Sequence, residues 1–216
     1  MPPQKKIDIS LNPGYRFNPP SLPCLINDQI YWANSDTQVH WPALKRGDGT
    51  LDENYFLEPV TGPDGVKRNQ LAPNSTSATF SPGVAGVLNY VCACHLTETG
   101  SINVLAHVYI SANPQTGGPA LYNINDLPPA PGLKIPLPVA VGSGVVWINN
   151  DIQAHWPAPV DDAGKIIDKY GFMTKAIPPG SNSQPYIVKA VGTGTINYGC
   201  VLHPGESGSL QIGEPE

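Results

Sequence analysis

Two six-residue runs, Tyr90-Val91-Cys92-Ala93-Cys94-His95 and Tyr198-Gly199-Cys200-Val201-Leu202-His203, decide how this chain is read. In each, a cysteine and a histidine stand three residues apart after a β-type segment, so a thiolate and an imidazole can turn onto one metal ion. A second imidazole lies upstream of each run. His40 sits in Asp36-Thr37-Gln38-Val39-His40-Trp41-Pro42-Ala43, and His155 in Asp151-Ile152-Gln153-Ala154-His155-Trp156-Pro157-Ala158. The chain therefore carries the pattern His…Cys-x-x-His twice.

The flanks repeat as well. Leu22-Pro23 and Leu137-Pro138, Trp32 and Trp147, Asn34 and Asn149, Asp36 and Asp151, and His40 and His155 match at an offset of 115. Gly86 and Gly194, Asn89-Tyr90 and Asn197-Tyr198, Cys92 and Cys200, His95 and His203, and Gly100-Ser101 and Gly208-Ser209 match at an offset of 108. The second copy is thus 7 residues shorter between its two motifs. Two copies of about 100 residues read as a tandem duplication of a domain rather than a solenoid.

Composition narrows the fold class. With 22 Gly, 25 Pro and 13% charged residues in 216, long helices have little room, and short strands joined by turns are favoured. A hydrophobic content of 40% is enough for real cores. The expected strands are Ile7 to Leu11, Cys24 to Asn34, Ser75 to Phe80, Val84 to Val91 and, after a turn at Gly100, Ser101 to Ile110. Residues 44–74 are polar and turn-rich and read as a long excursion rather than core. Residues 113–119, rich in Gly and Pro, read as a linker. The expected division is a first domain over 1–112, the linker, and a second domain over 120–216.

The net charge of −5 and a pI near 5.4 argue against a nucleic-acid partner, which requires a basic face. No run has the length of a membrane span. Met-Pro-Pro-Gln-Lys-Lys has no apolar stretch behind it, so no signal peptide is expected here; the protein is cytoplasmic, or a signal has been replaced by a starting Met. Four cysteines do not decide the compartment, because two of them read as metal ligands.

Two imidazoles and one thiolate suit a soft-to-borderline metal, and a trigonal His₂Cys set is that of blue copper sites. Structural zinc wants a closed set of four ligands, and no fourth strong ligand is evident in both copies. On the Asn-x-Asp…His turn, the Tyr-x-Cys-x-x-His loop and the Gly-x-hydrophobic final strand, each half resembles a cupredoxin. The resemblance covers nearly the whole chain and implies an all-β protein of two tandem Greek-key β-sandwiches. It also implies copper, up to two ions, held by His40, Cys92 and His95 in one domain and by His155, Cys200 and His203 in the other.

The chain departs from that family in places. Its members usually carry a weak axial Met four or five residues after the last His. Counted so, the positions here hold Thr99 and Gly100, or Ser207 and Gly208, and the only methionines are Met1 and Met173. The axial candidates are the backbone carbonyl of Val39 or Ala154, a water, or the carboxylates Glu98 and Glu206, which recur three residues after the last His. An open axial side raises the potential, and a carboxylate lowers it. Trp41 and Trp156 replace the small hydrogen-bonding residue that often follows the first His; packing over the site, a docking surface and core packing all remain open for them. Cys24 and Cys94 occur only in the first copy; a disulfide between them, or Cys94 as a competing thiolate, are both open.

Histidine counting bears on catalysis. Four of the five histidines are assigned to the two sites, and the fifth, His107, reads as structural within a strand. A trinuclear oxidase cluster and a nitrite-reducing centre each need more imidazoles, so no enzyme of those types is expected unless another chain supplies ligands. The expected function is electron transfer with a redox partner protein in a periplasmic or other extracytoplasmic setting. Copper storage, delivery or resistance is the alternative, and a structural module with lapsed sites a weaker one. A homo-oligomer is left open.

Overall fold

The computed structural model describes residues 4–10, 16–57, 60–61, 67–68, 70–112, 118–124, 136–189 and 194–213. It is all-β: among the described residues there is no helix, hence none long and apolar enough to cross a membrane. The chain divides into two compact units, Met1–Val104 and Leu105–Glu216.

In the first unit the early strands are β1 (Gln4–Ser10), β2 (Arg16–Asn18), β3 (Ser21–Leu25), β4 (Gln29–Asn34) and β5 (Pro42–Lys45). Four two-residue strands follow: β6 (Leu51–Asp52), β7 (Val60–Thr61), β8 (Lys67–Arg68) and β9 (Ser75–Thr76). The long strands are β10 (Gly86–Cys92) and β11 (His95–Ser111), the latter contributing its residues up to Val104. One sheet has the order β2-β1-β4-β9, with β1 and β4 parallel. In the other, β10 lies between β5 and β11, with β3 also paired to β11. Trp32 from the first sheet meets Tyr90 from the second edge-on at 5.9 Å, so the two sheets close on one aromatic core.

The second unit takes up β11 from Leu105 and continues with β12 (Leu121–Ile124), β13 (Leu137–Ala140), β14 (Gly144–Asn149), β15 (Pro157–Pro159), β16 (Tyr186–Ile187), β17 (Gly194–Cys200) and β18 (Ser207–Gly213). Its sheets repeat the pattern. β11 pairs in parallel with β14 and antiparallel with β12, and the other sheet has the order β13-β18-β17-β15. Trp147 and Tyr198 meet edge-on at 5.7 Å, as Trp32 and Tyr90 do.

Several expectations change. The two compact units meet between Val104 and Leu105, and of the expected linker 113–119, residues 113–117 lie outside the described residues. The physical reason for that boundary is the register: Ile110 stands opposite Asn149 as Ile9 stands opposite Asn34, so Leu105–Ile110 does for β14 what β1 does for β4. Cys24 to Asn34 is two strands, broken at Asn27, whose φ of 67° lies in the left-handed region. Gly100 is no turn but a strand residue opposite Tyr90. The excursion also feeds the core: Phe56, Leu57 and Leu71 are buried, and Phe56 packs against Trp32 at 5.1 Å. Short polar stretches hid these single apolar residues, which have no period to betray them.

Candidate metal centres

Each centre begins with a loop held from inside. The buried Asn34 amide donates to the carbonyls of Gln38 (2.7 Å), Leu71 (3.1 Å) and Ala72 (3.0 Å), and its oxygen accepts the Asp36 N–H at 2.9 Å. Asn149 does the same with Gln153, Ile177 and Asp151. This clamp sets the turn that carries His40 or His155 inward, where each histidine also bridges the backbone of Leu71 or Ile177.

The cysteines arrive on the facing sheet. Cys92 ends β10 opposite Pro42, and Cys200 ends β17 opposite Pro157. Antiparallel pairing thus brings residues 52 and 45 positions apart into contact. The Trp41 N–H donates to Cys92 Sγ and the Trp156 N–H to Cys200 Sγ, both at 3.3 Å. Backbone N–H groups of Cys94 and His95, and of Leu202 and His203, also favour the respective thiolates. Burial outweighs them in the metal-free state and pushes the Cys92 thiol up to about 11; Cys200 is raised for the same reason.

The ligand atoms converge. Cys92 Sγ is 3.7 Å from His40 Nδ1 and 3.5 Å from His95 Nδ1. Cys200 Sγ is 3.9 Å from His155 Nδ1 and 3.5 Å from His203 Nδ1. Donors at about 2.0 Å (nitrogen) and about 2.3 Å (sulphur) from one ion, spread at about 110–120°, stand about 3.5–3.7 Å apart. The chain holds its donors at nearly that spacing.

A carboxylate completes each group, so a fourth donor does recur in both units, against the expectation from the sequence. His40, Cys92, His95 and Glu98 form one cluster and His155, Cys200, His203 and Glu206 the other, with one ligand atom of each residue within 4.8 Å of all the rest. In the first unit a bulge does the positioning. The register passes from Val91 opposite Thr99 to Cys92 opposite His95, so Leu96, Thr97 and Glu98 are looped out. Glu98 turns inward and is buried, while its neighbour Thr99 is exposed. Thr99 and Ser207 thus stand in the ladders one residue beyond the converging carboxylates. Val39 and Ala154 directly precede the two bridging histidines.

Sequence reasoning gave no role to Asp36 and Asp151. His40 Nε2 lies 2.9 Å from Asp36 Oδ2, and His155 Nε2 lies 3.0 Å from Asp151 Oδ2. A carboxylate on one ring nitrogen leaves the other, Nδ1, for the metal. Burial opposes the charge on Asp36, but hydrogen bonds from His40 and the Thr37 amide hold its carboxyl below the ordinary value. The signal was their recurrence four residues before each first histidine. Gln38 adds a further restraint, with Oε1 2.9 Å from His95 Nε2; among the described residues His203 has no counterpart.

The other candidates resolve plainly. The Trp41 indole donates to the Glu53 carbonyl at 2.9 Å, and the Trp156 indole to the Met173 carbonyl at 3.4 Å, so both rings are tied to neighbouring loops. All four cysteines are free thiols. Cys24 is buried in β3 and Cys94 exposed on the ligand turn, so no disulfide joins them, and Cys94 is outside the ligand group. His107 is buried, its ring 5.0 Å from that of Tyr109, and belongs to neither cluster.

No protein-family model matches the chain, and no curated protein matches it. Among solved structures it is similar to amicyanin from Paracoccus versutus (Thiobacillus versutus), at 19% identity over 46% of this chain and 78% of that one, with a TM-score of 0.34. A reduced Cu(I) form of an amicyanin variant at pH 4 gives 19%, 46%, 79% and 0.34. A second reduced amicyanin variant gives 20%, 46%, 79% and 0.32.

Proposed function

We propose that this chain is a copper electron-transfer protein of the cupredoxin type, with a His₂Cys centre in each of two tandem units. The observation that supports it best is the convergence of two imidazole Nδ1 atoms on one buried sulphur, 3.5–3.9 Å away, in both units. Thiolate and imidazole suit copper and zinc alike, and a His₂Cys set with a weaker fourth donor is the arrangement that favours copper. When bound, copper supplies a one-electron couple.

The chain's own residues set the conditions for that couple. Asp36 and Asp151 orient the first imidazoles, and the Trp41 and Trp156 amides hold the sulphurs. His40 and His155 are almost fully buried, whereas the His95 and His203 side chains are 25% and 29% exposed. That partly open imidazole edge is the route to a redox partner protein. No catalytic residue is assigned, and a periplasmic or other extracytoplasmic location accompanies this reading.

Titration with Cu(II) tests it. An intense thiolate-to-copper visible band should develop, saturating at about two ions per chain, with Cys92→Ser and Cys200→Ser each removing about half. No band in the parent protein overturns the proposal. Irreversible redox behaviour, or copper lost to weak chelators, would favour the storage or delivery alternative.

A further inference from the structure

The two centres share their ligand types but not the surroundings of their carboxylates. Glu98 is 2% exposed, with Oε2 3.0 Å from His40 Nδ1 and Oε1 3.4 Å from His95 Nδ1. Yet Glu98 Oε1 accepts no hydrogen bond from any described residue. An unsatisfied buried carboxylate oxygen is costly and calls for a partner, and this one points into a set of metal donors. In the second centre both oxygens are engaged. Glu206 Oε1 accepts the Ala120 N–H at 3.1 Å, and Oε2 accepts the Tyr122 hydroxyl at 3.2 Å. Its Oε1 also stands farther from the second imidazole, 3.7 Å from His203 Nδ1.

One side chain accounts for much of the difference. Phe17 lies opposite Ile9, and Tyr122 opposite Ile110, the corresponding positions of the two units. Both rings pack edge-on against the tyrosine two residues before the ligand cysteine: Phe17 on Tyr90 at 4.7 Å, Tyr122 on Tyr198 at 5.5 Å. Phe17 has no hydroxyl to offer Glu98.

We propose that the two centres are inequivalent: Glu98 is a fourth metal ligand in the first, whereas Glu206 is restrained by Tyr122 and Ala120 and donates more weakly in the second. This rests on the copper reading above. A carboxylate oxygen stabilises Cu(II) over Cu(I), and hydrogen bonds to that carboxylate withdraw its electron density. The first centre therefore has the lower potential, and a chain receiving one electron holds it at the second.

The test uses the full chain with one centre at a time, Cys200→Ser keeping the first and Cys92→Ser the second, each loaded with Cu(II). The first centre should favour Cu(II) over Cu(I) at least tenfold more than the second, about 59 mV for a one-electron couple, and its thiolate band should lie at a different wavelength. Glu98→Gln should raise the first potential toward the second. The hydroxyl exchanges Tyr122→Phe and Phe17→Tyr, which leave the ring packing in place, should lower the second potential and raise the first. Equal potentials and bands in the two single-centre proteins, with no response to either hydroxyl exchange, overturn the inequivalence while leaving the copper assignment standing. No thiolate band in either protein overturns the copper assignment itself, and the inequivalence with it.

Discussion

His40 Nε2 lies 2.9 Å from Asp36 Oδ2, with both side chains fully buried, and the pair His155–Asp151 repeats this at 3.0 Å. The carboxylate fixes the ring by the nitrogen that faces away from the sulphur. Replacing Asp36 or Asp151 with Ala should lower copper affinity in its own centre by about 10–100-fold. Chelator competition in the single-centre backgrounds measures this, and an unchanged affinity would show that the ring needs no such support.

Asn34 and Asn149 should matter more for stability than for metal. Asn34→Ala would strip donors from three carbonyls and an acceptor from the Asp36 amide. Leaving buried groups unpaired should cost about 2–4 kcal/mol. Urea denaturation of the metal-free protein checks it, with a comparable loss expected for Asn149→Ala.

A third outcome concerns the glycines beneath the core tyrosines. Gly100 pairs across the ladder with Tyr90, and Gly208 with Tyr198, and a Cβ on either glycine would run into the tyrosine ring. Gly100→Ala or Gly208→Ala should therefore destabilise by about 1–3 kcal/mol through overpacking. Since each tyrosine precedes Cys92 or Cys200 by two residues, a thiolate-to-copper band of the same unit should also shift. A variant as stable as the parent would mean that the ring moves aside freely.

Thiol labelling separates the four cysteines. Burial pushes the Cys24 thiol up to about 12, so at neutral pH almost none of it is the reactive thiolate, and reagent cannot reach it. Cys94 is exposed. Alkylation of the folded protein followed by peptide mapping should mark Cys94 first and leave Cys24 unmodified until unfolding. Early labelling of Cys24 would contradict its placement in β3.

Most residues of the two converging clusters were legible in the chain alone. His40, Cys92 and His95, and their counterparts His155, Cys200 and His203, stand out because the same ordered pattern of side chains occurs twice in the chain. The all-β class followed from Gly, Pro and alternating apolar residues, since those constrain the backbone locally. The pairing of Leu105–Ile110 with β14 was not legible, although residues 113–119 carry the composition of a linker. Pairing is non-local and leaves no mark in composition. The Cys-x-x-His spacing of the two opening runs told which atoms could meet a metal, while Glu98 turns inward through a register shift within the β10–β11 hairpin, and the hydroxyl that Tyr122 brings to Glu206 comes from a strand distant in sequence. Side-chain type was determined by sequence. Which carboxylate oxygen is satisfied, and hence how the two centres differ, was decided only when packing set their neighbours.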